Sequence, residues 1–111
     1  MSRNLFASIR RGVPVFAALG DETRLRLLAK LTTDGPLSIA QLTEGEAVTR
    51  QAITKHLGVL AEAGLVRDVR SGRERRWAVE LAPLETARTC LETVSQRWDQ
   101  RLARLRELVE R

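Results

Sequence analysis

The spacing of apolar residues predicts helices along most of the chain. In residues 21–33, leucines recur at helical intervals on one face, and the aspartate that opens this segment is a suitable N-cap. Earlier in the chain, Gly12 and Pro14 divide the sequence into an amphipathic helix over residues 4–11 and a short second helix that ends at Gly20. The leucines of residues 21–33 expected to face the core are Leu25, Leu28 and Leu31, with Leu27 beside them.

Two further helices, separated by a glycine turn, follow in the middle of the chain. Ser38 and Gln41 fit a capping box for a short helix. After a break at Gly45, Thr49 is predicted to cap a longer helix that ends at Gly64. A short helix, a turn and a longer helix in this order match the helix-turn-helix pattern.

The side of the longer helix that faces away from its apolar residues is polar and basic. Ile53, Leu57 and Leu60 fall on one side and are expected to face the core, and no acid occurs from Thr49 until Glu62. The outward side chains are of the types that bond base edges and phosphates, so we predict contact with the major groove of DNA. The candidate DNA-binding residues of this helix are Thr49, Arg50, Gln51, Thr54, Lys55 and His56.

The only histidine of the chain, His56, lies at the edge of the apolar stripe. A half-buried packing role therefore competes evenly with a phosphate contact. With no thiol or carboxylate at helical spacing nearby, it is a poor metal ligand.

After this helix, alternating apolar and charged residues predict a β-hairpin with a tight turn at Ser71-Gly72. Its inward residues are expected to be Leu65, Val69, Trp77 and Val79. Arginines outnumber acids in the hairpin, so it is suited to bind phosphates or the minor groove as a wing beside the helix-turn-helix. Its candidate DNA-binding residues are Arg70, Arg73 and Arg75.

One long helix is predicted from Ala82 to Arg111, with an apolar stripe along its whole length. This stripe is too long for a small core to cover, which predicts a partner helix from a second copy of the chain. Packing within one subunit is the alternative. Trp98 is the best candidate for an interface anchor.

Length and charge narrow the class of protein. The 111 residues fit a single domain, 1–111, with N-terminal helices (1–33), the helix-turn-helix and wing (37–80) and the last helix (82–111). A net charge of +5 and an isoelectric point near 10.9 indicate a polyanionic partner, most often nucleic acid. Three cations of the third predicted helix are also within reach of phosphates, although a solvated face is the favoured interpretation: Arg24, Arg26 and Lys30.

Cysteine content and motifs exclude other classes. The single cysteine, Cys90, excludes an internal disulfide and a cysteine-rich zinc site, and its place beside the apolar stripe favours buried packing over a thiol sensor. No apolar run approaches the roughly 20 residues that a membrane span requires, and the N-terminus is a poor secretory signal, so we predict a cytoplasmic protein. No nucleotide-binding loop, zinc-protease motif or nucleophile elbow occurs, so we expect no enzymatic activity.

Four motifs in fixed order point to one family. They are ALGDETRLRLL at residues 18–28, TKHL at 54–57, AGLV at 63–66, and GR at 72–73 leading to Trp77. Over essentially its full length the chain resembles the ArsR (ArsR/SmtB-type) family of bacterial winged helix-turn-helix repressors. Thr54 stands where that family commonly has serine, and Trp77 where it often has tyrosine; both changes are conservative.

The resemblance implies a mainly α fold with a small β-hairpin wing and a long C-terminal dimerisation helix. It implies a homodimer, joined by its first and last helices, that represses transcription by binding double-stranded operator DNA. Because two symmetric recognition helices would enter successive major grooves, the operator is expected to be an imperfect inverted repeat. The predicted interface residues are Phe6, Phe16, Leu91, Val94, Trp98, Leu102 and Leu105.

Metal-responsive members of the family use cysteines before the recognition helix, or histidine and acidic ligands in the last helix. Here Ile39–Leu42 contains no thiol and the last helix contains no histidine. We therefore expect no metal ligands and no other cofactor, as in metal-independent members, some of which repress their own operon.

Two alternative functions stay open at this point. The first is a winged-helix module that binds an acidic protein partner through its basic face. The second is a repressor that responds to a small-molecule effector or to oxidation. Protection of a defined inverted repeat in footprinting would separate the DNA reader from the protein-binding module.

Overall fold

The computed structural model describes residues 2–110, with side chains from residue 5 onward, as five helices and one two-stranded antiparallel sheet. In chain order the elements are α1 (Ser2–Leu19), α2 (Glu22–Asp34), α3 (Ile39–Thr43), α4 (Arg50–Glu62), β1 (Val66–Ser71), β2 (Glu74–Val79) and α5 (Ala82–Glu110). This architecture confirms the mainly helical winged helix-turn-helix fold. None of the described helices is long and apolar enough to span a membrane.

The helix starts lie where the capping residues predict them. Asp21 accepts the first-turn backbone N–H of α2 at 3.1 Å, and Thr49 accepts that of Ala52 at the start of α4 at 3.1 Å. Ser38 and Gln41 form both halves of a capping box on α3. These side chains satisfy backbone donors that a helix leaves without partners, so local chemistry fixes all three boundaries.

The predicted break at Gly12 is wrong, because α1 continues from Ser2 to Leu19 with Pro14 inside it. Gly12 is buried where α1 packs against α5. A Cβ atom placed on Gly12 would lie 3.0 Å from the ring of Phe16 and 3.5 Å from the Cβ of Cys90. The glycine therefore permits a close helix–helix approach, and this tertiary contact outweighs its low helix propensity.

The core lies between α2, α3, α4 and the base of the hairpin. Its fully buried large side chains are Leu27, Leu31, Leu42, Ile53, Leu57, Leu60 and Leu65. On α2 the buried face differs from the expectation by about one position, because Leu27 is buried and Leu25 is 51% exposed. The hairpin and α3 lie on the Leu27 side of the helix, so they decide which leucines of the stripe are covered.

The hairpin turn lies one residue later than predicted. Its two loop residues are Gly72 and Arg73, because Ser71 pairs with Glu74 in the antiparallel register. Gly72 has a φ of +66°, a left-handed conformation that glycine adopts without strain. The expected inward residues Leu65 and Trp77 are buried and Val69 and Val79 half-buried, and the structure adds Val66 and Ala78 to the buried set.

Trp77 also ties the hairpin to the loop before α3. Its backbone N–H donates to the carbonyl of Leu37 at 2.8 Å, and the Leu37 N–H donates back to Trp77 at 3.0 Å. The ladder of the wing is thereby extended into the helix-turn-helix, so the wing base cannot move independently of it.

Only the first half of α5 packs on the domain. Ala87 and Cys90 are buried there, which confirms the packing role of the cysteine side chain. From Trp98 to Glu110 every side chain is exposed, and the described chain extends over 68 × 27 × 20 Å. The second half of α5 thus projects from a small domain without a covering layer in this subunit.

Replacing Gly12 by valine should destabilise the fold. The added side chain would meet Phe16 and Cys90, and overpacking of this kind costs about 1–3 kcal/mol. Urea unfolding at a fixed protein concentration measures the difference.

Gly58→Ala is the matched control, since Gly58 is an exposed glycine inside α4 with no atom within 4 Å of an added Cβ. It should raise the free energy of unfolding by about 1 kcal/mol. A Gly12→Val protein as stable as the parent would contradict the close-packing role.

Candidate nucleic-acid interface

The two sides of α4 differ as the sequence predicts. Ile53, Leu57 and Leu60 have no exposed surface, whereas the outward residues Arg50, Gln51, Thr54 and Lys55 are all exposed. The packing of the apolar side therefore holds the polar side toward solvent, along the first half of the helix.

Electrostatics make this first half a binding surface for anions. Neither Arg50 nor Lys55 has an ion-pair partner among the described residues. The N-terminal end of a helix carries a partial positive charge, which adds to these two cations. The first acid of α4 is Glu62, at the far end. An anion meets only favourable charge on approaching the helix start.

Two threonines of the predicted set already use part of their hydrogen-bonding capacity. The Thr49 hydroxyl accepts the backbone N–H of Ala52, and the Thr54 hydroxyl donates to the carbonyl of Arg50 at 2.9 Å. Thr54 therefore keeps an acceptor and a methyl group for a partner, while its hydrogen is committed to the helix.

His56 lies against the start of α2, half-buried, and this is the packing role left open by the sequence. Its Nδ1 atom is 3.3 Å from Nη1 of Arg24 and 3.9 Å from the carboxylate of Asp21. The hydrogen bond from the Arg24 N–H lowers the pKa of Asp21, because it stabilises the ionised carboxylate. A phosphate contact by His56 stays a prediction.

No cluster of three or more His, Cys, Asp or Glu side chains that could hold a metal ion occurs within residues 5–110.

The wing separates its arginines into free and occupied groups. Arg70 and Arg73 are exposed and have no ion-pair partner within the described chain. Arg75 instead binds the carboxylate of Asp68 at 3.1 Å, and its guanidinium lies 4.8 Å from the ring centroid of Trp77. A phosphate contact by Arg75 would compete with these two interactions.

Lys30 has a role that sequence reasoning missed. Its Nζ atom donates to the carbonyls of Leu42 and Glu44, at 3.1 and 3.0 Å, and to the carboxylate of Glu46 at 2.9 Å. The Glu46 side chain is only 8% exposed. Lys30 therefore clamps the turn between α3 and α4 and positions the start of α4. The partners lie 12 to 16 residues away in sequence, and no local pattern signals such a contact.

The predicted interface residues form an uncovered apolar surface along α5 and α1. Trp98 is 59% exposed and Phe6 63% exposed, and Phe16 is half-buried. An open groove of about 470 Å³ between the end of α1 and α5 continues this surface, with Phe16, Leu84 and Leu91 in its walls. The other exposed stripe residues are Val94, Leu102 and Leu105.

Comparison with known proteins places this arrangement among bacterial regulators. The family model of a helix-turn-helix domain matches residues 19–69. An ArsR-like transcriptional regulator from Rhodococcus sp. RHA1, of known structure, is 42% identical; the match covers 92% of this chain and 95% of that one, with a TM-score of 0.77.

Two curated relatives agree with that structure. The uncharacterised HTH-type transcriptional regulator YuzN of Bacillus subtilis is 40% identical over 77 residues, which cover 64% of this chain and 84% of YuzN. The HTH-type transcriptional regulator Rv2034 of Mycobacterium tuberculosis is 32% identical over 93 residues, which cover 84% of this chain and 83% of the relative.

Replacing Lys30 by methionine should loosen the turn between α3 and α4. The change keeps helix propensity nearly constant but removes three charge-assisted hydrogen bonds and leaves Glu46 unpaired. We expect a loss of about 2 kcal/mol in the free energy of unfolding, measured in urea.

Arg26→Met is the matched control, because Arg26 forms a solvent-exposed pair with Glu22 at 3.6 Å. It should change stability by less than about 0.5 kcal/mol. Equal losses in the two variants would contradict the clamp.

Proposed function

This chain belongs to the ArsR family of transcriptional regulators, and on that premise we propose that it is a homodimeric repressor that binds an inverted-repeat operator. Helix-turn-helix regulators of this family bind double-stranded DNA, and the chain is a regulator and not an enzyme. The proposal concerns the dimer, the operator and the residues that contact it.

The observation that carries the proposal is the exposed, acid-free first half of α4 followed by a basic hairpin. Arg50 and Lys55 are unpaired there, and Arg70 and Arg73 are unpaired on the wing. Cations without internal partners are available to phosphates, whereas paired ones must first break a contact. The arrangement therefore favours a polyanion over an acidic protein surface of irregular charge.

The residues of α4 are suited to different parts of a DNA site. Arg50 and Gln51 offer bidentate donors or donor–acceptor pairs, which match the major-groove edges of guanine and adenine. Thr54, whose hydroxyl hydrogen is bound within the helix, presents a methyl group suited to the methyl of thymine. Lys55 provides a point charge for a phosphate. On the wing, we assign phosphate contact to Arg70 and Arg73 before Arg75, whose guanidinium is already held by Asp68.

The apolar surface of α5 and α1 supports the dimer. Large side chains such as Trp98 and Leu105 are at least half exposed, and nothing in one subunit covers them. A second copy related by a two-fold axis would bury the same stripe on both chains. Two-fold symmetry of the protein requires a matching inverted repeat in the DNA.

Footprinting of the DNA upstream of its own gene tests the function. We expect protection of an inverted repeat whose half-site centres are about 34 Å apart. Each of Lys55→Ala and Arg73→Ala should lower the slope of log K against log salt by about one unit.

Arg106→Ala, which removes one exposed cation from the outer part of α5, is the control and should retain the parent slope. If Lys55→Ala and Arg73→Ala bind as tightly as the parent at all salt concentrations, the assigned contacts are wrong. Weak binding without sequence preference would favour the protein-binding module.

Trp98→Ala should weaken the dimer. Anchors of this kind contribute about 2 kcal/mol or more, so the dimer dissociation constant should rise more than about tenfold in sedimentation equilibrium. Gln100→Ala, an exposed change on the opposite side of α5, should leave it unchanged. An unaltered dimer in Trp98→Ala would rule out Trp98 as anchor.

A further inference from the structure

The side chain of Arg24 reaches from α2 back to the end of α1. Its Nε atom donates to the carbonyl of Ala18 at 2.5 Å, and Nη2 donates to the carbonyl of Ala17 at 3.4 Å. The last carbonyls of a helix lack internal donors and carry partial negative charge. The last turn of α1 contains no basic residue of its own, so Arg24 supplies the cation that caps it.

The other edge of the same guanidinium meets the recognition helix, α4. Nη1 of Arg24 lies 3.3 Å from Nδ1 of His56. A guanidinium has only donors, so Nδ1 must accept, and the neutral ring of His56 carries its hydrogen on Nε2. Asp21, which accepts the backbone N–H of Arg24 at 3.1 Å, stands 3.9 Å from the same ring nitrogen.

One planar group thus joins three elements. Arginine presents its donors in a rigid fork, so bonds to α1 and α4 fix the distance and the direction between the two helices. The apolar contacts of Ile53, Leu57 and Leu60 hold α4 in the core but are not directional. Sliding or rotation of α4 by a small amount would preserve much of the apolar burial and break the bond between Arg24 and His56.

We propose that Arg24 is a positioning residue that fixes the angle between α1 and the recognition helix, and thereby sets the half-site spacing that the dimer accepts. The inference rests on the proposed function, in which α1 and α5 join two copies. In such a dimer the orientation of α4 relative to α1 determines the distance and rotation between the two recognition helices. Because one base pair adds about a tenth of a helical turn, a small change of angle shifts the accepted spacing.

The test compares operators that differ only in the number of base pairs between their half-sites. The parent should prefer one spacing by about tenfold or more over its neighbours. Arg24→Lys keeps the charge but cannot bind α1 and His56 together. It should discriminate between spacings by less than about threefold, with dimer formation in sedimentation and affinity for an isolated half-site unchanged.

Two further variants complete the experiment. Arg26→Lys changes the neighbouring arginine, whose partner is the exposed Glu22, and should keep the parent profile. His56→Phe removes only the α4 branch of the fork and leaves the cap on α1 intact. It should also flatten the profile, and it decides the question if Arg24→Lys fails to fold.

The possible results separate three conclusions. Arg24→Lys and His56→Phe with the parent's spacing preference would overturn the positioning role alone. An equal loss of affinity at every spacing and at the isolated half-site would also overturn it, because a lost phosphate contact acts in that way. If the parent itself protects no inverted repeat, the proposed function fails and the inference fails with it.

Discussion

The burial of one side of α4 is the constraint on which the rest of the molecule depends. Ile53, Leu57 and Leu60 have no exposed surface, and each such side chain contributes about 1.5–3 kcal/mol when removed from water. Rotating the helix to bury its other side would place charged and amide groups in the core, which is far costlier. The same energy that folds the domain therefore holds the DNA-facing residues outward.

Hydrophobic burial alone does not orient that helix, and two cations supply the missing direction. Lys30 clamps the turn before α4 through two carbonyls and the carboxylate of Glu46, and Arg24 joins its edge to the end of α1. Both belong to α2, which thus serves as the frame of the reading head. In a basic protein, these cations stabilise the fold, whereas those of α4 and the wing tip stay free for the partner.

Local chemistry in the sequence was sufficient to predict much of this protein. The caps Asp21, Ser38 and Thr49 fixed three helix starts, because an N-cap bonds to backbone only two or three residues away. The period of apolar residues identified the buried side of α4 and the uncovered stripe of α5. Motifs and their order indicated the family, which the comparisons confirmed.

Only the tertiary structure decided the features that depend on distant residues. Gly12 looks like a helix breaker in sequence, but α5 passes so close that glycine is what the helix crossing requires. Lys30 and Arg75 look like free surface cations, yet Glu46 and Asp68 bind them in the fold. Sequence spacing records which side of an element a residue occupies. Which partner waits there is set by how the elements pack, and a charge cannot be called free until that packing is known.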